Sequence, residues 1–217
     1  MKLITEPYLA QIGRWPKAGQ HILAQFDDDT ITVYQAYKPE LGHFAATHGY
    51  FGGSFSLNRM SWIKPNFLWM MYRSGWGTKH GQEVVLAVRL KSSAFDDILH
   101  QAVHSSSKPG IYESEAAWAI AVKQSAVRLQ WDPDHDPSGA PVARRAIQLG
   151  LRAGALAKYA REWIVEIEDI SEFVRQQRQF AQSRDTYGQL VTPQERVYAV
   201  TDQKIAARLG LSESSTE

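Results

Sequence analysis

Four cations, Arg59, Lys64, Arg73 and Lys79, alternate with three tryptophans, Trp62, Trp69 and Trp76, in a stretch from Phe51 to Lys79 that contains no acidic residue. Guanidinium and ammonium groups hold phosphate through charge-assisted hydrogen bonds, and indole rings stack on bases. The stretch therefore predicts a pocket for an anionic, phosphate-bearing ligand. Trp62 or Trp76 would stack a base or a nicotinamide ring. Gly52-Gly53 would let the backbone approach the ligand, and Ser54, Ser56 and Asn58 would add hydrogen bonds. The competing reading is structural: a tryptophan-rich core helix edged by snorkelling cations that pair with Glu83, Glu166 or Glu168. A buried arginine is rarely kept without a partner, and the stretch supplies no carboxylate of its own, which favours the ligand.

Glu166 and Glu168 alternate along one apolar segment and so share a strand face. Neighbouring carboxylates raise one another's pKa and supply a general base, or they orient a ribose hydroxyl. A solvated face, or ion pairs with the cations above, explains the same alternation. Asp132, Asp134 and Asp136 open like a calcium loop, but Ala143 stands where the bidentate glutamate belongs and the sixth position is not glycine, so a surface turn is expected. His43, His48, His80, His100 and His104 form no paired ligand motif, and no metal is expected. There is no nucleophile elbow, phosphate-binding Walker loop or Gly-x-Gly-x-x-Gly fingerprint.

Local patterning sets the elements that must hold these groups. Residues 1–29 read as an irregular or partly ordered lead-in broken by Pro7, Gly13, Pro16 and Gly19. Thr30–Tyr37 reads as a strand, followed by a short helix from Pro39 to about His48 that Gly49 ends. Pro65 to Ser74 reads as a buried helix stopped by Gly75, with Trp69, Tyr72, Arg73 and Trp76 on one face. Glu83–Leu90 is a strand, and Ser92 or Ser93 caps a helix from Ala94 to about Val103. Residues 104–115 look loop-like, and Ala116–Ala121 fits helix or strand. Further strands are expected over Ala126–Trp131, Ala146–Leu151, Trp163–Ile170 and Glu195–Val200. Helices are expected from Gly154 to about Glu162, from Ser171 to about Ser183, and over Gln203–Leu209 with Asp202 as cap. No β-α repeat period appears. The pattern predicts a single α+β domain over 30–210 with a mixed or antiparallel sheet and short helices, and a disordered tail over 211–217.

Hydrophobic residues make up 44% and charged residues 22% of the 217, which is ordinary globular usage. The net charge of +1 gives no global case for nucleic acid, so any such case rests on the local basic stretch. The absence of cysteine excludes disulfides and thiolate chemistry and fits a cytoplasmic protein. No apolar run reaches the roughly 20 residues of a membrane helix, so no membrane association is expected. The oligomeric state is left open.

The segments Val33–Tyr37, Arg59–Trp76, Gly81–Glu83, Val127–Pro133, Ile147–Arg152 and Trp163–Ile170 together resemble the domain-of-unknown-function 4291 family across about residues 30–200. The layout is also similar, in outline, to ADP-ribosyltransferase-like domains, at Tyr34-Gln-Ala-Tyr37, Ser54-Phe-Ser56 and Glu166-Ile-Glu168. The first strand departs from that pattern, offering only Gln35 where such enzymes place an arginine or histidine. The second resemblance implies NAD as co-substrate, met at Tyr34, Gln35 and Ser56, and the basic-aromatic stretch would complete the cofactor set with Arg59, Trp62, Lys64, Arg73, Trp76 and Lys79. Arg59, Lys64 and Arg73 would hold the pyrophosphate. Glu168 or Glu166 would orient the ribose and stabilise an oxocarbenium-like transition state. The residues thus predict an enzyme acting on a nucleotide or nucleic-acid end, or a non-catalytic binder of the same ligands.

Overall fold

The computed structural model of the chain describes residues 3–212; the predicted disordered tail lies, from residue 213 on, outside them. The N-terminal segment holds β1 (Thr5–Pro7), α1 (Tyr8–Ile12), β2 (Gly19–Gln20) and β3 (Leu23–Ala24). The breakers of the predicted irregular lead-in do separate these elements. Their order comes from partners far along the chain, which no local pattern reveals.

β4 (Thr30–Tyr37) and α2 (Pro39–His48) fall at their predicted bounds, with Pro39 in the first helical turn and Gly49 left-handed at φ 72°. Next come β5 (Ser61–Ile63) and α3 (Phe67–Ser74). The predicted start of α3 at Pro65 shifts to Phe67, because Asn66 caps the helix by accepting the Trp69 N–H at 2.7 Å. Phe67–Met71 are buried, whereas Tyr72 and Arg73 face outward. Trp76 leaves the predicted helical face altogether, lying beyond the Gly75 cap at φ 55°.

The chain continues through β6 (Val84–Lys91), α4 (Ser92–Gln101), β7 (Ala102–His104) and α5 (Glu115–Gln124). Ser114 Oγ accepts the Ala117 N–H, which resolves the ambiguous 116–121 segment as helix. β8 (Val127–His135) and β9 (Pro141–Leu151) outrun their predicted spans. The predicted 132–139 turn shrinks to 136–139, where Asp136 Oδ1 accepts from the backbones of Ser138 and Ala140. α6 (Ala153–Arg161), β10 (Ile164–Asp169), α7 (Ser171–Ala181), β11 (Val191–Pro193), β12 (Arg196–Val197) and α8 (Gln203–Leu209) complete the fold.

These elements form a single α+β domain. β10, β6 and β4 make a three-stranded antiparallel sheet. A five-stranded mixed sheet is centred on β9, which pairs with β8 along one edge and with β2 and β5 along the other, while β7 extends β8 in parallel. β6 is buried on both faces. Val84, Leu86, Val88 and Leu90 join one apolar cluster, and Val85 and Ala87 join another that contains α3. The two sheets meet where Tyr34 and Lys64 form an isolated antiparallel bridge, the Tyr34 N–H donating to the Lys64 carbonyl at 2.7 Å.

Candidate functional site

At that seam a cleft of about 750 Å³ opens between the C-terminal end of β4, the 54–60 loop, β5, α3 and the 80–82 loop. Its lining includes Lys38, Arg59, Lys64, Arg73 and His80 and contains no carboxylate. Lys38 is paired with Glu40 at 2.7 Å. Arg59, Lys64 and Arg73 have no side-chain hydrogen bond or ion pair among the described residues.

Lys64 stands apart from the two arginines. They are exposed, whereas Lys64 is only 4% exposed. Its backbone is fixed on both sides by Tyr34, so the side chain leaves β4's edge from a set position. Burial, with the neighbouring charge of Arg73, pushes its ammonium down to about 8, and Asp132 opposes the shift. That carboxylate is already engaged, accepting from Gln130 Nε2 at 2.8 Å and Gln148 Nε2 at 2.7 Å. Both glutamines line the cleft from cross-strand positions of β8 and β9.

A hydroxyl and amide network forms another part of the wall. Gln35 is buried and accepts from the Tyr159 hydroxyl at 2.6 Å. Its Nε2 donates to Ser61 Oγ at 2.9 Å and to the Trp62 carbonyl at 3.1 Å. Tyr37 and Ser61 share a hydrogen bond of 2.9 Å. Burial pushes the Tyr37 phenol up to about 12, so it stays a proton donor at neutral pH.

Trp62, half-buried on β5, lies over Gly150 of β9. A Cβ at Gly150 would meet Met60 Sδ at 2.5 Å and the Trp62 ring at 3.0 Å, and both side chains line the cleft. Gly150→Ala should therefore displace the cleft wall from a position outside its lining. We expect about tenfold weaker ligand binding and a stability loss of about 1–3 kcal/mol. Titration calorimetry and urea unfolding of that variant check the two effects.

The structure thus brings Gln35, Ser56, Arg59, Trp62, Lys64 and Arg73 to one cleft and leaves the other predicted residues elsewhere. Lys79 turns back to cap α3, its Nζ 2.8 Å from the Arg73 carbonyl. Trp76 donates to the Pro137 carbonyl at 3.1 Å and packs edge-on against Phe67. Tyr34 is fully buried on the opposite face of β4, against Phe67. Glu166 and Glu168 do share a face, but it is that opposite one. They line a separate, smaller cavity with Thr30, Thr32 and Arg89. There Glu166 pairs with Arg89 at 2.9 Å, and Glu168 accepts the Leu3 N–H at 3.3 Å. Nor does Glu83 neutralise the stretch, since it accepts the Gly81 N–H at 2.8 Å.

The acidic run is dispersed in the same way. Asp132 binds the two glutamines, Asp134 pairs with Arg144, and Asp136 holds a turn. Among the described residues no group of three or more histidine or acidic side chains is placed to hold a metal, and no helix is long and apolar enough to cross a membrane. Gln130, Gln148 and Tyr159 were missed by the sequence reading. The signal for the first two was present, as polar residues alternating with Leu129, Trp131, Ile147 and Leu149.

A family model described as Domain of unknown function (DUF4291) matches residues 21–198. No curated protein matches the chain.

Proposed function

This chain belongs to the DUF4291 family, and from its cleft we propose that it is an enzyme acting on a nucleotide or a nucleic-acid end held by its phosphates. One observation carries the reading: Arg59, Lys64 and Arg73 converge on a cavity whose lining offers them no carboxylate. Such a site gains most from an anion supplied by a ligand. The volume of about 750 Å³ suits a nucleotide-sized molecule. Arg59 and Arg73 take phosphate oxygens near the opening, Trp62 stacks the ring, and Tyr37 and Ser61 offer hydroxyls to a ribose.

NAD carries a pyrophosphate and two rings, so it is the first co-substrate to try for ADP-ribosyl transfer. In this reading Glu166 and Glu168 take no direct part, because they open on the far side of the sheet. Nicotinamide release in the presence of DNA, RNA or protein acceptors scores that reaction.

Binding of ADP, ATP, NAD and a 5′-phosphorylated oligonucleotide, followed by tryptophan fluorescence, tests the site itself. Trp62→Ala should weaken binding by about 10- to 100-fold, the worth of one stacking contact. Trp76→Ala should lower Tm and leave affinity unchanged, because its ring supports α3 outside the cleft. Equal losses in the two variants would remove the assignment. A steep fall of affinity with salt selects the oligonucleotide over the mononucleotides.

A further inference from the structure

We propose that Lys64 is a covalent nucleophile, its Nζ attacking the α-phosphorus of a nucleotide in the cleft to form a lysyl–nucleotide phosphoramidate. The inference rests on the reading of the cleft as a nucleotide site and names the step that Lys64 performs there.

Three features separate this lysine from an ordinary phosphate clamp. A clamp works from an exposed, fully charged position, as Arg59 and Arg73 do; Lys64 is buried. Its side chain has no hydrogen bond or ion pair among the described residues, and no carboxylate lines the cleft to hold its ammonium charged. Its backbone N–H and carbonyl are both bonded to Tyr34, which fixes the origin of the side chain to the edge of a buried strand. An amine meant to attack must spend part of its time unprotonated, and desolvation beside Arg73 gives it that.

The step balances without an oxidant or reductant. The Nζ lone pair forms a P–N bond, and the bond from the α-phosphorus to the bridging oxygen breaks. The electron pair leaves with pyrophosphate from a nucleoside triphosphate, and the amine proton passes to solvent. Arg59 and Arg73, lining the same cleft, offset the charge of the departing pyrophosphate. The phosphoramidate then stores the nucleotide for an acceptor such as a 5′-phosphate end.

The test incubates the full chain with magnesium and each of ATP, GTP, CTP and UTP labelled at the α-phosphate. We expect label on the protein with one triphosphate or more, one nucleoside monophosphate per chain, and an equal amount of pyrophosphate. The bond should be labile to acid and stable to base, with Lys64 as the modified residue in peptide mass spectra. Its rate of formation should climb with pH and level off above about 8. Lys64→Arg keeps the charge and should bind the same triphosphate within several-fold while losing more than 100-fold in adduct. Lys64→Gln replaces it if the arginine variant does not give a native melting curve. Tight binding of a triphosphate with no adduct overturns the nucleophile and leaves the nucleotide site standing. Label that persists in Lys64→Arg overturns it as well. Absence of any nucleotide binding overturns both.

Discussion

Lys64→Met is expected to melt several degrees above the native chain and to bind its phosphate ligand about 10- to 100-fold more weakly. The two effects have opposite signs because one group causes both. An ammonium moved from water to a 4%-exposed site without a direct ion pair carries a desolvation penalty that the charge of Asp132 only partly offsets. Its fall from 10.5 to about 8 corresponds to roughly 3 kcal/mol of lost stability at neutral pH. Methionine keeps the apolar stem and removes the charge, whereas the ligand loses one charge-assisted hydrogen bond, worth about 1.5–3 kcal/mol. The pH dependence has a definite sign. Between about 8 and 10.5 the unfolded chain holds a proton on Lys64 that the folded chain has released, so native stability rises with pH across that window. The slope should vanish in Lys64→Met. Above about 10 the buried phenols of Tyr34 and Tyr37, whose pKa values burial raises, reverse the trend, because they ionise more readily once unfolded. Urea midpoints from pH 7 to 10 check this. A variant that loses stability and keeps its affinity would return Lys64 to a purely structural role.

The basic stretch was legible as a charge anomaly because its cations lie close in sequence and contain no acid among them. That proximity also misled. Arg59, Lys64 and Arg73 reach one cleft because β5 and α3 flank it, whereas Lys79 and Trp76 lie past the left-handed Gly75 and turn away. The pairing of Glu166 with Glu168 on one face followed correctly from strand alternation. Which face that would be depends on what packs against each side of β4 and β6, and this is a tertiary fact. Thr30–Tyr37 and Pro39–His48 were legible to the residue because β-branched alternation, proline and glycine mark them locally. The short strands β1, β2, β3 and β11 were not, since each exists only through a distant partner.

Glu195→Ala should be the most damaging single substitution in the scaffold, at about 3–5 kcal/mol. This side chain, 3% exposed, accepts the Phe67 N–H at 2.6 Å and the Asn66 amide at 3.3 Å. It thereby serves the first turn of α3, the helix that carries Arg73 to the cleft. Alanine leaves those donors unpaired in the core, at about 1–3 kcal/mol each, and opens a cavity beside them. Nucleotide affinity should fall as well, as α3 loosens. Glu195→Gln keeps an acceptor for Phe67 and should fall within about 1 kcal/mol of native. It also isolates the charge. Burial raises the Glu195 carboxyl well above its usual range, so the folded chain binds a proton there that the unfolded chain has released above about pH 4.5. Native stability falls as pH rises through that window, and the fall should be absent in Glu195→Gln. Thermal melts of the native chain and both variants from pH 4 to 8 measure all three effects.

The pairing of Thr5–Pro7 with Val191–Pro193 and the capping of α3 from 128 residues downstream set a timetable for synthesis. A growing chain has made Arg59, Lys64 and Arg73 by residue 73, yet it lacks the acceptor for the first turn of α3, the helix that carries Arg73, until residue 195 has been made. Contacts this distant are slow to form. Until then, the apolar side of α3 and the edges of the N-terminal strands remain open to other chains. The same latch that orders Thr5–Pro7 therefore leaves the nascent protein open to aggregation until residue 195 has been made.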